Sequence, residues 1–188
     1  MTLFHRNTFN SKLYDQNSFY DSFIKDLKNC QNEVVVESPY ITFSRMEYLY
    51  PIFKKLLANK VRLHIITRDP IDHDDAYMRH QATNEILQCV ELGMDVVLLR
   101  GCHHRKLAII DRKIIWEGSL NILSYANSRE IMRRIENKNA ANQMFKFLKL
   151  GKLIFYLSKG SLTLIFNALA ILSTISTLGV TSPLSTRA

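Results

Sequence analysis

The chain has 188 residues, 47% hydrophobic and 22% charged, which is the composition of one globular domain with a modest appendage. Six glycines and four prolines exclude a collagen-like or wholly disordered chain, and three cysteines (Cys30, Cys89, Cys102) without CxxC spacing exclude a disulfide framework or a cysteine-only zinc knuckle. The net charge of +8 is unevenly spread: residues 1–99 carry a net −2, residues 100–134 a net +5, and after Lys159 no charge occurs until Arg187.

Residues 1–16 read as an N-terminal extension, with no apolar run of the length a cleaved secretory signal needs. In residues 17–30 Phe19, Phe23 and Leu27 recur every four positions, the spacing of one helical face, and Glu33-Val-Val-Val-Glu37 then reads as a strand closed by Ser38-Pro39-Tyr40. Residues 44–58 resume a helical pattern, with Ser44 as N-cap, Glu47 completing a capping box and Pro51 as a point of kinking. Val61–Thr67 is a second strand, followed by the acidic loop Asp72-His73-Asp74-Asp75, a helix over 76–92 and a third strand at Asp95–Leu99. Two short apolar strands, Lys106–Ile110 and Lys113–Trp116, flank a turn at Asp111-Arg112, and a last helix is expected beyond them. Apolar strands alternating with helices predict an α/β sandwich whose central strands are covered on both faces.

The chemistry is concentrated in residues 101–121. His104 and Lys106 lie two apart on an extended segment, so an imidazole and an ammonium project from one face. A cation beside a histidine favours the neutral, nucleophilic ring, and the lysine supplies fixed charge for an anionic oxygen. Gly118-Ser119 and Asn121 add a tight turn with a hydroxyl and an amide suited to phosphate oxygens. His103 is expected on the opposite face from His104. His5, His64, His73 and His80 read as structural or solvated. The carboxylates of residues 72–75 read as helix-capping groups rather than metal ligands.

His104-x-Lys106-x4-Asp111 followed by Gly118-Ser119-x-Asn121 resembles the signature of the phospholipase D superfamily. The resemblance spans roughly residues 17–135 and includes Ser38-Pro39-Tyr40. With one motif in the chain, it is similar to the single-motif nuclease branch, in which two identical subunits each contribute a motif to a shared site. The resemblance implies a phospholipase D-like α/β sandwich with a central mixed sheet covered by helices. It also implies a homodimer needing neither metal nor other cofactor. His104 would be the nucleophile forming a covalent phosphohistidine, and His104 of the partner subunit the acid that protonates the leaving oxygen. Lys106, Asn121 and Ser119 would hold phosphate oxygens, Asp111 would be mainly architectural, and Glu130 is the candidate for the glutamate that orients the histidine.

Arg105, Arg129, Arg133 and Arg134 are candidates for tracking a nucleic-acid backbone, with a solvated helix face as the alternative for the last three. The catalytic domain is placed at 17–145, and a basic then apolar tail at 146–188. Residues 160–180, free of charge, have the length of a transmembrane helix. Asn167 and six Ser/Thr residues weaken that reading and leave a buried or dimer-facing apolar C-terminal helix open. If the segment spans, the lysines before it place the enzyme on the cytoplasmic side. The expected activity is hydrolysis of nucleic-acid phosphodiester bonds in the cytoplasm. The rivals are phospholipid hydrolysis at a membrane and a non-catalytic module that holds nucleic acid for a helicase or restriction-type partner.

Overall fold

The segment Glu33–Glu37 (β2) is buried at every residue because it lies inside a seven-stranded sheet covered on both faces. The computed structural model describes residues 10–124 and 127–150. The remaining strands are β1 (Asn10–Asp15), β3 (Arg62–Arg68), β4 (Asp95–Leu99), β5 (Leu107–Ile110), β6 (Ile114–Gly118) and β7 (Ile131–Glu136). Their order is β1-β7-β6-β5-β2-β3-β4. β2, β3 and β4 run parallel through helical crossovers, while β5, β6, β7 and β1 are antiparallel, so the sheet is mixed as expected.

Alternation along each strand divides the core in two. Val34, Val36, Ala108, Ile110, Trp116 and Met132 face the larger layer, built with α1 (Phe19–Lys28), α2 (Phe43–Ala58) and α3 (Ala76–Glu91). Trp116 is its centre: fully buried, it takes the edges of Phe19 and Phe23 and donates its indole N–H to Asp26 at 2.9 Å. Val35, Ile66, Ile109, Ile115 and Ile135 face the other layer, where α4 (Lys138–Phe147) inserts Ala141 and Phe145.

Several expectations need correction. Residues 10–15, read as part of an extension, form edge strand β1, paired antiparallel with the whole of β7. The residues around Arg133 form a strand and not a helix face. Met132 and Ile135 are both buried three positions apart, which imitates helical spacing, but one side chain enters each layer of a sheet covered on both sides. Helix α2 begins one residue before Ser44, its N-cap is Thr42, and no side-chain cap bond forms there. Pro51 lies within this helix, which runs unbroken to Ala58. Leu148 and Leu150 are buried, so the fold includes residues past the expected boundary at 145. The apolar segment 160–180 lies outside the described residues. Among those described, no helix is long and apolar enough to cross a membrane.

Candidate active site

The segment entering β5 is extended from residue 103, and its side chains part to two sides. His103 and Arg105 turn toward the buried carboxylate of Glu37, the last residue of β2. His104 and Lys106 turn the other way, as their spacing predicts. Arg105 Nε donates to Glu37 Oε1 at 2.7 Å. His103 Nε2 stands 3.5 Å from the same oxygen, beyond an effective hydrogen bond. Burial, followed by the charges of Arg105 and Lys106, pushes the His103 imidazole down to about 4, so this ring is neutral at physiological pH. Burial moves Glu37 the opposite way, raising its carboxyl, while Arg105 pulls it back.

On the other side His104 is exposed and Lys106 is almost fully buried, with 9% of its surface accessible. The Lys106 ammonium donates to the carbonyl oxygen of His104 at 2.9 Å and lies 3.0 and 3.2 Å from its two ring nitrogens. Burial lowers the Lys106 pKa, and the charge of Glu130 acts against that shift. A cation is thus held against an accessible imidazole at the end of the sheet.

Gly118 ends β6 where β7 begins, and its N–H donates to the Lys106 carbonyl at 3.3 Å. A Cβ at Gly118 would overlap the carbonyl oxygen of Ile131 and crowd Met132, so only glycine allows this approach. Ser119 is clamped to the same place: its N–H donates to Ile131 O at 2.9 Å, and its Oγ accepts from Ile131 N at 3.1 Å. The Ser119 hydroxyl proton goes to the Glu130 carboxylate, which also accepts from Ser128 Oγ at 2.6 Å. These two hydroxyls hold the Glu130 carboxyl below its usual range against the opposing effect of burial, and the charge of Lys106 adds a smaller pull in the same direction as the hydroxyls. Ser119 in this arrangement fixes Glu130, and Glu130 is bonded to the two serines instead of to His104.

The loop carrying Asn121 is suspended from the core. Tyr20 Oη donates to Ile122 O at 3.0 Å, Leu123 N to Ser38 Oγ at 3.3 Å, and Thr42 N to Leu123 O at 2.9 Å. Ser38 of the Ser38-Pro39-Tyr40 turn therefore braces the site. Asn121 Oδ1 is buried without a hydrogen-bond partner, leaving that atom uncommitted. Neither Tyr20, Thr42 nor Glu37 was legible as part of this support, because their roles depend on contacts between elements distant in sequence.

Asp111 does not join this group. It sits at the far end of β5, about 15 Å along the strand from Lys106, in a left-handed conformation with φ +50°. Its carboxylate accepts from the backbone N–H of Gln31, Asn32 and Glu33 and from the Cys30 thiol. The arginines are also dispersed. Arg105 is engaged by Glu37, and Arg134 is bound through two nitrogens to Asp26 and through a third to Glu136. Arg133 is exposed on the side of β7 that faces the α4 layer, and Arg129 borders a cleft beside Asn121. In the acidic loop, Asp75 caps α3 through Met78 N, Asp69 accepts from Ile71 N and Asp72 from Gly101 N.

An exposed imidazole, a buried ammonium and a braced amide are thus carried at one end of the interior strands β5 and β6. Residues 23–149 match the family described as cardiolipin synthase, PLD-like domain, and the chain belongs to that family, within the phospholipase D superfamily. Among solved structures, NucT from Helicobacter pylori superposes with a TM-score of 0.60 at 19% identity, covering 78% of this chain and 96% of that one. Nuc from Salmonella typhimurium, a phospholipase D family member, gives 0.60 at 13% identity, covering 75% and 92%. Phosphatidylserine synthase from Haemophilus influenzae gives 0.60 at 17% identity, covering 79% of this chain but 39% of that protein. A comparison with curated protein sequences finds no match.

Proposed function

We propose that the protein is a phosphodiesterase that hydrolyses nucleic-acid phosphodiester bonds through a covalent phosphohistidine, with its active site shared across a homodimer. The observation that carries this reading is the Lys106 ammonium held at 3.0 Å from the accessible ring of His104. In the first step a neutral ring nitrogen of His104 attacks phosphorus, a P–N bond forms, and the P–O bond to the leaving group breaks. The partner subunit's His104, protonated, gives its proton to the leaving oxygen. Water then attacks phosphorus, the P–N bond breaks, and the water proton passes to the partner subunit's His104. Lys106 and Asn121 stabilise the charge on the non-bridging oxygens. Glu130, fixed by Ser119 and Ser128, balances the Lys106 charge, and Asp111 ties β5 to the start of β2.

The dimer is what the resemblance to the single-motif branch implies: the scheme uses two histidines, and among the described residues the motif supplies one, His104. The likeness in fold to NucT and Nuc, of which this chain covers 96% and 92%, supports the nuclease side of this reading. The polar character of the cleft beside Asn121 favours a polynucleotide over a lipid. Phospholipid is the competing substrate, consistent with the family description. The test incubates the full chain and His104→Ala with labelled DNA, labelled RNA and phosphatidylcholine vesicles, all in EDTA. Cleavage of nucleic acid by the wild type alone is the expected result. Vesicle hydrolysis without nucleic-acid cleavage moves the assignment to lipid, and nucleic-acid binding without cleavage moves it to a binding module.

A further inference from the structure

A cleft of about 430 Å³ opens between four separate parts of the chain, with Glu130, the carboxylate that faces the Lys106 charge, among its lining residues. Gln16 and Asn17 come from the turn after β1, Tyr20 from α1, Arg45 from α2, and Asn121 and Arg129 from either end of the β6–β7 connection. Tyr20, 8% exposed, organises the floor. Its ring carries the Arg45 guanidinium at 3.6 Å, while its hydroxyl holds the Asn121 loop through Ile122 O. Gln16 Oε1 accepts from Glu130 N at 3.0 Å, which joins the turn after β1 to the residue beside Lys106. One aromatic residue thereby sets a cation and the phosphate-facing amide in fixed relation.

The lining has the chemistry of a nucleotide site. Two guanidiniums suit phosphate oxygens, and the carboxamides of Gln16 and Asn17 suit base edges and sugar hydroxyls, while Asn121 serves the scissile phosphate. Leu120 and the Tyr20 ring are the apolar walls among the lining residues, too little to hold acyl chains. Its volume lies within the range of small-molecule pockets. The Glu130 carboxylate is also on the rim, but it is held by two serine hydroxyls and faces the charge of Lys106.

We propose that this cleft seats the nucleotide adjoining the scissile phosphate, with Arg45 and Arg129 binding the neighbouring phosphate and the amides contacting its nucleoside. This rests on the nuclease reading above and adds residues that the motif does not contain. It explains why residues 16–20 are built into the site although they lie far from it in sequence.

The test measures kcat/KM of the full chain and of Arg45→Gln on a DNA oligonucleotide and on bis(p-nitrophenyl) phosphate, which has no neighbouring nucleotide. The ratio of the two values is the readout. It is expected to fall about tenfold, the worth of one charge-assisted hydrogen bond. The salt slope of oligonucleotide binding should become shallower by about 0.7–0.9, the loss of one phosphate contact. Arg45→Lys, which keeps the charge but loses the planar stack, should lie between, and circular dichroism reports whether each variant folds. A ratio unchanged within twofold in a folded Arg45→Gln, with the wild type cleaving DNA, overturns the cleft assignment alone. Wild-type turnover of the small ester without DNA cleavage overturns the nuclease reading and the proposed occupant with it.

Discussion

The ammonium of Lys106 is tethered at 2.9 Å to the carbonyl oxygen of the residue whose ring it faces, His104. The tether fixes the cation before substrate arrives, so little reorganisation is required when charge develops on phosphorus oxygens. Lys106→Met should therefore lower kcat about 10²–10³-fold, the usual worth of one preorganised donor, with a much smaller effect on KM. Lys106→Arg should recover little, because a planar guanidinium does not reproduce a point charge in this buried position. Steady-state kinetics on a phosphodiester substrate measure both.

Asp111 should matter to folding and not to the chemical step. Asp111→Ala leaves three backbone N–H groups without their acceptor, a loss of about 2 kcal/mol read by urea denaturation. Its pH signature has a definite sign. Burial opposes ionisation, but the amides of Gln31, Glu33 and Asn32 and the Cys30 thiol outweigh it and lower the pKa in the fold. The stability from this carboxylate is present above the ordinary value of about 4 and is lost as pH falls through the lowered folded value. Asp111→Asn should lack that part of the acid sensitivity while keeping measurable turnover.

Glu37 and Arg105 make the opposite case. The side chain of Glu37 is 0% exposed and that of Arg105 is 46% exposed. Removing the arginine strands a buried carboxylate at a cost of about 3 kcal/mol. Burial already raises the Glu37 pKa, and Arg105→Ala removes the charge that restrains it. The deficit grows as pH rises from the unfolded carboxylate value toward the raised folded value, then levels off. Acidification through the raised folded value should thus restore part of the variant's stability, which thermal melts from neutral pH downward would record. Losing Arg105 also removes one of the charges that hold the His103 ring low, so this imidazole protonates more readily beside the stranded carboxylate and adds to the recovery in acid.

Gly118→Ala tests the close approach of β6 to β7. A methyl group there meets the Ile131 carbonyl and Met132, so the strand ends must separate at a cost of about 1–3 kcal/mol. Because Ser119 and Ile131 exchange bonds beside it, the displacement reaches Glu130. Loss of activity at temperatures where the variant remains folded is the expected result, followed by a melt and an activity assay on the same sample.

The strands β2 to β6 and helices α1 to α3 were legible because each has a local signature: an apolar run, a four-residue recurrence or a turn pair such as Asp111-Arg112. The facing of His104 and Lys106 was legible for the same reason, since two-residue spacing holds wherever the chain is extended. β1 was not, because Asn10–Asp15 is an exposed edge with no apolar pattern and is a strand only because β7 lies beside it. β7 misled because its two buried residues serve opposite layers. The arginines were read as one patch, yet Arg105 and Arg134 answer to Glu37 and Asp26, acids distant in sequence. Tyr20, Arg45 and Gln16 carry no motif, and their place beside Asn121 arises from packing.

The most direct measurement is of the covalent intermediate. The full chain is mixed with a labelled phosphodiester in EDTA, quenched within a turnover, and digested under conditions that preserve phosphohistidine, and the labelled peptide is mapped by mass spectrometry. The account predicts label on His104 in the wild type and none in His104→Ala. Turnover with no protein-bound label at any quench time, or label retained in His104→Ala, would contradict it.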